Sequence, residues 1–164
     1  MGRDVLYTNT TGSYNIAIGN DALGNNTTAD NNVAVGYNCL AANTTGTQNT
    51  AVGAYALDAI TTGTTCTAVG YQALTANTAS NNTAFGSTAL ATNTTGSGNC
   101  AFGHAALVAQ STGDQNSAFG YAALYNSNGA SANCALGGYA GHNVTTGGYS
   151  VYICLLYTSP SPRD

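Results

Sequence analysis

Apolar residues in this chain recur in one short cluster about every seventeen residues, a spacing that fits neither the helical period of 3.6 nor a long alternating strand. The cluster reads Asn-x-Ala-(apolar)-Gly. Its glycine falls at Gly19, Gly36, Gly53, Gly70, Gly86, Gly103, Gly120 and Gly137, in steps of 17, 17, 17, 16, 17, 17 and 17. Two residues before each glycine stands alanine: Ala17, Ala34, Ala51, Ala68, Ala84, Ala101, Ala118 and Ala135. One residue before stands a large apolar side chain: Ile18, Val35, Val52, Val69, Phe85, Phe102, Phe119 and Leu136. Four residues after the glycine comes leucine, from Leu6 and Leu23 through to Leu124. A polar turn follows, Asn-Thr-Thr-Gly at Asn9–Gly12, Asn43–Gly46 and Asn93–Gly96. The single 16-residue step falls in this turn, at Asn77–Ser80, which marks the turn as surface, where deletions are tolerated.

Seventeen residues cannot hold two packed helices, because helical repeats have periods of about 33 and more. The segment Asn49-Thr50-Ala51-Val52-Gly53 alternates small and large and predicts a short strand. Tyr71-Gln72-Ala73-Leu74 fits a second strand or one helical turn. One coil alone buries almost nothing. Stacked at about 4.8 Å, coils line their apolar residues into columns and satisfy the backbone between them. The predicted fold is all-β: a parallel β-solenoid or β-roll of about nine coils over residues 1–153, a rod on the order of 40 Å long. The eight motif glycines are assigned as structural turn residues. The alanines have two readings. If the large neighbour points into the coil, alternation turns alanine outward, and the repeated alanines mark close approach by another chain, a trimer interface. Alternatively, alanine fits a narrow coil.

These residues carry a resemblance. Asn49-Thr50-Ala51-Val52-Gly53 and Asn82-Thr83-Ala84-Phe85-Gly86 resemble the Asn-Ser-Val-Ala-Ile-Gly head repeat of trimeric autotransporter adhesins. Tyr71-Gln72-Ala73-Leu74, followed by Asn77-Thr78, is similar to longer versions of that repeat in bacteriophage tail fibres. The resemblance covers residues 1–153. It implies a left-handed β-roll assembled as a homotrimer, on a bacterial cell surface or in a virion tail fibre, mediating attachment to a host or surface.

Composition narrows the function classes. Charged residues are 5% of the chain, with Arg3 and Arg163 the only cations besides histidine. That excludes a basic nucleic-acid binder, which needs clustered Lys and Arg. No run of about 18 apolar residues predicts a membrane helix, and 43% apolar content argues against disorder. Residues 154–164, CLLYTSPSPRD, break with the pattern and hold both prolines. They read as the translation of a transposase-type sequencing adapter, so they are expected to be an artefact joined to a fragment of a longer chain. One period before Gly19 lies Gly2, so Met1 reads as an internal methionine.

Little in the sequence points to chemistry. No catalytic residue, metal site or cofactor is expected, and the chain is not expected to be an enzyme. Paired carboxylates across a cleft would need more than the scattered aspartates and no glutamate present. His104 and His142 are isolated in sequence. Asp4 and Asp21 share a column, a weak lead towards a cation. Cys39, Cys66, Cys100 and Cys134 show no CxxC spacing and are read as small buried thiols, compatible with a reducing compartment. Tyr37, Tyr71 and Tyr121 directly follow their glycines, where the residue otherwise varies, and are assigned as an exposed surface contact for a host glycan or protein. An alternative reading is a Thr-rich solenoid that binds ice or glycan without a fibre role, from rows such as Thr10-Thr11, Thr27-Thr28 and Thr44-Thr45; the rows break at Ala79-Ser80 and Ser127-Asn128.

Overall fold

The computed structural model describes residues 2–153; the adapter reading of residues 154–164 and the reading of Met1 lie outside the described residues. Nine three-residue strands form one sheet: β1 Ile16–Ile18, β2 Val33–Val35, β3 Thr50–Val52, β4 Thr67–Val69, β5 Thr83–Phe85, β6 Cys100–Phe102, β7 Ser117–Phe119, β8 Cys134–Leu136 and β9 Val151–Ile153. Their order in the sheet is their order in the chain, and each neighbouring pair is parallel. The motif column stays in register throughout, with Ala17 opposite Ala34, Ala51 opposite Ala68 and Ala118 opposite Ala135. The protein is a β-solenoid whose coils stack singly. The turns are bonded coil to coil as well: Leu40 N–H donates to the Ala56 carbonyl at 3.1 Å and Thr44 N–H to the Thr61 carbonyl at 2.9 Å. No helix occurs among the described residues, and Tyr71–Leu74 is neither a second strand nor a helical turn but an irregular turn.

The missing residue of the short coil can be placed. Thr78 N–H still donates to the Thr94 carbonyl. The Ala79 carbonyl lies against Gly63 as the Gly63 carbonyl lies against Gly46. Thr67 still faces Thr83 across the sheet. The deletion therefore removes the second, exposed threonine of the turn and leaves the sheet undisturbed.

The orientation of the strand reverses the reading that turned alanine outward. Ala34, Ala51, Ala68, Ala84, Ala101, Ala118 and Ala135 are fully buried inside their own coil, and Ala17 is half-buried against the same core. The large residues beside them face out. Alanine is required because the interior is already filled from the turns. The leucine column is buried throughout from Leu23 to Leu124, joined by a second small column, Ala22, Cys39, Ala56, Ala73, Ala89, Ala106, Ala123 and Ala140. With their side chains enclosed, the alanines cannot form the contact with another chain.

The leucines adopt left-handed backbone, with φ of 51° at Leu23, 53° at Leu40 and 54° at Leu74. This conformation costs an L-residue about 1–2 kcal/mol. Complete burial of a leucine side chain returns about 1.5–3 kcal/mol, so each coil tolerates the strain only because the next coil covers it.

Two asparagine ladders fill the rest of the interior. In one, Asn26 Nδ2 donates to Asn9 Oδ1 at 2.9 Å and Asn43 Nδ2 to Asn26 Oδ1 at 3.1 Å. In the other, the motif asparagine accepts the backbone N–H of its counterpart one coil on, as Asn99 Oδ1 does from Asn116 at 2.9 Å, while Asn99 Nδ2 donates to the Gly113 carbonyl at 2.8 Å. Where the first ladder is interrupted, its acceptor is orphaned. Asn43 Oδ1 faces the position of Ile60, which carries no donor, and is buried without a partner. Asn99→Ala is expected to strand the Asn116 amide and the Gly113 carbonyl in the interior, at about 1–3 kcal/mol for each group. A urea midpoint within error of the parent would contradict this.

Candidate functional site

Two surfaces stand out. The first is the outer face of the sheet. Each strand turns two side chains outward, on either side of a central residue that is a buried alanine from β2 to β8. One column runs Ile16, Val33, Thr50, Thr67, Thr83, Cys100, Ser117, Cys134 and Val151; the other runs Ile18, Val35, Val52, Val69, Phe85, Phe102, Phe119, Leu136 and Ile153. Neither contains a charged residue. Phe85 and Phe102 stack face to face with centroids 4.8 Å apart, and Phe102 stacks on Phe119 at 5.3 Å. Phe85 nevertheless remains 37% exposed, and Ile18 54% and Leu136 55%. The column beginning at Ile18 is apolar along its whole length, which is unusual on a protein surface.

The second surface is the edge next to the glycine column, where Tyr37, Tyr71 and Tyr121 are all exposed. Tyr37 and Tyr71 are joined through Tyr55, which packs edge-on to each at 5.2 and 6.3 Å. Tyr121 is the hub of a separate cluster: His104 stacks on it at 5.3 Å, and Tyr139 packs against it at 5.1 Å. His142 extends that cluster, 5.4 Å from Tyr139 and stacked on Tyr125 at 5.0 Å. The histidines that are isolated in sequence are thus held among tyrosines, where they form part of an aromatic surface. Tyr55, Tyr125 and Tyr139 escape sequence reading because tyrosine recurs only twice in each of their columns, against three times directly after the glycine.

The remaining candidates resolve into structural roles. The first threonine of most turns is occupied: Thr27 Oγ1 donates to the Thr44 carbonyl at 3.0 Å and Thr44 Oγ1 to the Thr61 carbonyl at 3.1 Å. The second row, Thr11, Thr28, Thr45, Thr62 and Thr95, is exposed throughout, as are Thr10, Thr61, Thr78 and Thr94 of the first, and the second is the row interrupted by the deletion. Asp30 and Asp114 accept backbone N–H groups from the preceding coil, at Ser13 (2.6 Å) and Ser97 (2.7 Å). Asp4 pairs with Arg3 at 3.1 Å. Asp4 and Asp21 border an open depression of about 550 Å³. Among the described residues no three His, Cys, Asp or Glu side chains gather as a metal site, and no helix is long and apolar enough to cross a membrane.

The thiols divide in two. Cys39 and Cys66 are buried, as read from the sequence, whereas Cys100 is only half-buried and Cys134 is exposed, because both lie in an outward column of the sheet. Burial pushes the Cys39 thiol up to about 12 and raises that of Cys66 as well. A thiol reagent is expected to modify Cys134 first among the four, and Cys39 and Cys66 only on unfolding. Because the folded state favours the neutral thiol, the stability it confers is complete below the ordinary thiol value of 9.0 and is lost as pH rises towards about 12. Cys39→Ala, which restores the residue found in that slot elsewhere, should flatten the alkaline fall of the urea midpoint; an unchanged slope would contradict the assignment.

Compared with family models, curated proteins and solved structures, the chain finds no match.

Proposed function

We propose that this chain is a repeat segment, shaft or head, of a homotrimeric surface fibre, a phage tail fibre or bacterial surface adhesin, and that it acts by attachment to a host or surface and not by catalysis. The observation that carries this reading is the strict coil-on-coil repetition. It makes a stiff rod and presents similar side chains again and again along each edge, the aromatic one included. The resemblance of the Asn-Thr-Ala-Val-Gly motif to adhesin head repeats supports the same conclusion. Three such rods side by side multiply weak contacts, with avidity gains of about 10²–10⁴ over a single contact. The partner proposed for the aromatic edge is a glycan or protein of the host surface, with Tyr37, Tyr71 and Tyr121 in contact.

Light scattering on the full chain is expected to give three times the 16.3 kDa chain mass. Binding to a glycan array or to host cells is expected to fall at least tenfold when Tyr37, Tyr71 and Tyr121 are all changed to Ala. A monomer that binds neither would overturn the proposal.

A further inference from the structure

Two pairs of tyrosines are built alike, five coils apart. Tyr55 and Tyr139 stand two residues after their motif glycines, and each lies diagonally beside the tyrosine that directly follows the glycine of the coil before, Tyr37 and Tyr121. The backbone pins both pairs. Tyr55 N–H donates to the Tyr37 carbonyl at 2.9 Å and Tyr139 N–H to the Tyr121 carbonyl at 2.8 Å. Tyr55 and Tyr139 also share a left-handed φ of 58°. The rings meet accordingly, with centroids 5.2 Å apart at 85° in the first pair and 5.1 Å apart at 62° in the second. Tyr55 also touches Tyr71, but at 6.3 Å.

The hydroxyls meet too, and each pair shares a phenol–phenol hydrogen bond. Desolvation and then the Tyr37 phenol raise Tyr55 above the ordinary phenol value of 10.0; the hydrogen bond with Tyr121 and then desolvation raise Tyr139. All four phenols thus stay protonated and paired at neutral pH, at an edge that solvent reaches: Tyr37, Tyr121 and Tyr139 are exposed and Tyr55 is half-buried.

That arrangement favours coupling of the two rings. In dityrosine a bond joins the ring carbons ortho to the two hydroxyls, which leaves the hydroxyls side by side. Here the hydroxyls are already side by side, and rotation of surface side chains, a motion of picoseconds to nanoseconds, brings the ortho carbons together. A peroxidase working with hydrogen peroxide is the class of oxidant required. It takes one electron and one proton from each phenol. The two phenoxyl radicals join through their ortho carbons, and the hydrogen on each joined carbon moves to its oxygen, restoring both phenols. Two hydrogens leave per pair and reduce one peroxide to two waters.

We infer that Tyr37 with Tyr55, and Tyr121 with Tyr139, are sites of oxidative cross-linking within one chain, each new bond stapling two consecutive coils from outside. The inference holds for a single chain and does not rest on the proposed fibre. A staple closes a loop of about one coil and so restricts the unfolded chain, and it ties neighbours in an array whose stability is carried by contacts between adjacent coils.

The test treats the full chain, with Cys100 and Cys134 changed to Ser, with peroxidase and hydrogen peroxide at low protein concentration. Denatured single chains should show dityrosine fluorescence and an intact mass lower by four hydrogens. Thermolysin digestion should yield peptides joined at Tyr37 to Tyr55 and at Tyr121 to Tyr139, and the urea midpoint should rise above that of untreated chain. Tyr55→Phe combined with Tyr139→Phe keeps the rings but removes one phenol from each pair, and should lower single-chain dityrosine at least tenfold. Tyr71→Phe should leave it unchanged. Oxidation in urea, where the coils are apart, should also lower the yield at least tenfold. Parent-level yield in the double variant or in urea would overturn the inference. So would joined peptides from other tyrosines, or cross-links found only between chains.

Discussion

Gly70→Ala is expected to destroy the fold around β4 and β5. Gly70 has a φ of +137°, a conformation essentially reserved for glycine, and a Cβ placed there would sit 2.5 Å from the Gly86 carbonyl oxygen and 2.9 Å from the Ser87 nitrogen. The φ alone costs about 1–3 kcal/mol in any other residue. The overlap adds to this, because the atoms it meets are backbone and can retreat only if the coils separate. Separation breaks the bond from Gly86 N–H to the Val69 carbonyl, now 2.8 Å, along with its neighbours. The expected loss is about 3 kcal/mol or more, enough to split a nearest-neighbour array into two weaker halves. Gly98→Ala is the control. Its φ is +68°, but its column holds Asn31, Gln48 and Thr65 in the same conformation, and the nearest atom to an added Cβ is 3.5 Å away. That substitution should cost no more than about 1–2 kcal/mol. Urea denaturation followed by circular dichroism separates the two; equal losses would contradict the close-approach account of the motif glycine.

Ala68→Leu carries the second large effect. Ala68 is completely enclosed, between the sheet and the leucine column. Three added carbons have no cavity to enter, and overpacking on this scale costs about 3 kcal/mol or more. Val69→Leu, one residue on and facing out, should stay within about 0.5 kcal/mol. Had the alanines pointed outward, Ala68→Leu would spare the β-signal and abolish only association. The two orientations therefore make opposite predictions for one variant, readable from the β-signal and the urea midpoint.

What the sequence discloses, and what it hides, follows from which columns repeat. Constant columns at Ala17, Gly19 and Leu23, and an always apolar one at Ile18, recur so regularly that the period, the coil stacking and the all-β class are legible before any coordinates. The placement of the one deletion in a surface turn is legible for the same reason. Alternation, however, fixes only relative orientation. It says that Ala68 and Val69 face opposite ways without saying which faces inward, and the answer depends on Leu74 and the asparagines that enter from the turns. Those asparagines read as turn formers because Asn43 can bond its own turn, and it does, to the Gly46 carbonyl at 3.0 Å. Their burial and coil-to-coil bonding are tertiary facts that local pattern does not carry. Gly46 is needed because the Gly63 carbonyl and Asn43 Oδ1 occupy the space a Cβ would fill, a contact between coils that the turn sequence alone does not show. The left-handed leucines are invisible because burial alone suffices to explain a constant leucine. Tyr121 is legible alone, but the cluster around it is not, because Tyr139, Tyr125 and His142 come from other columns that only the folded coil brings beside it.

Cross-hydrogen-bond couplings measured by NMR test the central claim most directly. In a single-coil stack the Gly70 amide must couple to the Val52 carbonyl and the Gly53 amide to the Val35 carbonyl, bonds of 2.8 Å each. Couplings at that offset, repeated along the chain, are the predicted result. Motif-glycine amides bonded instead within their own seventeen residues, or to units two repeats away, would contradict the stacked solenoid.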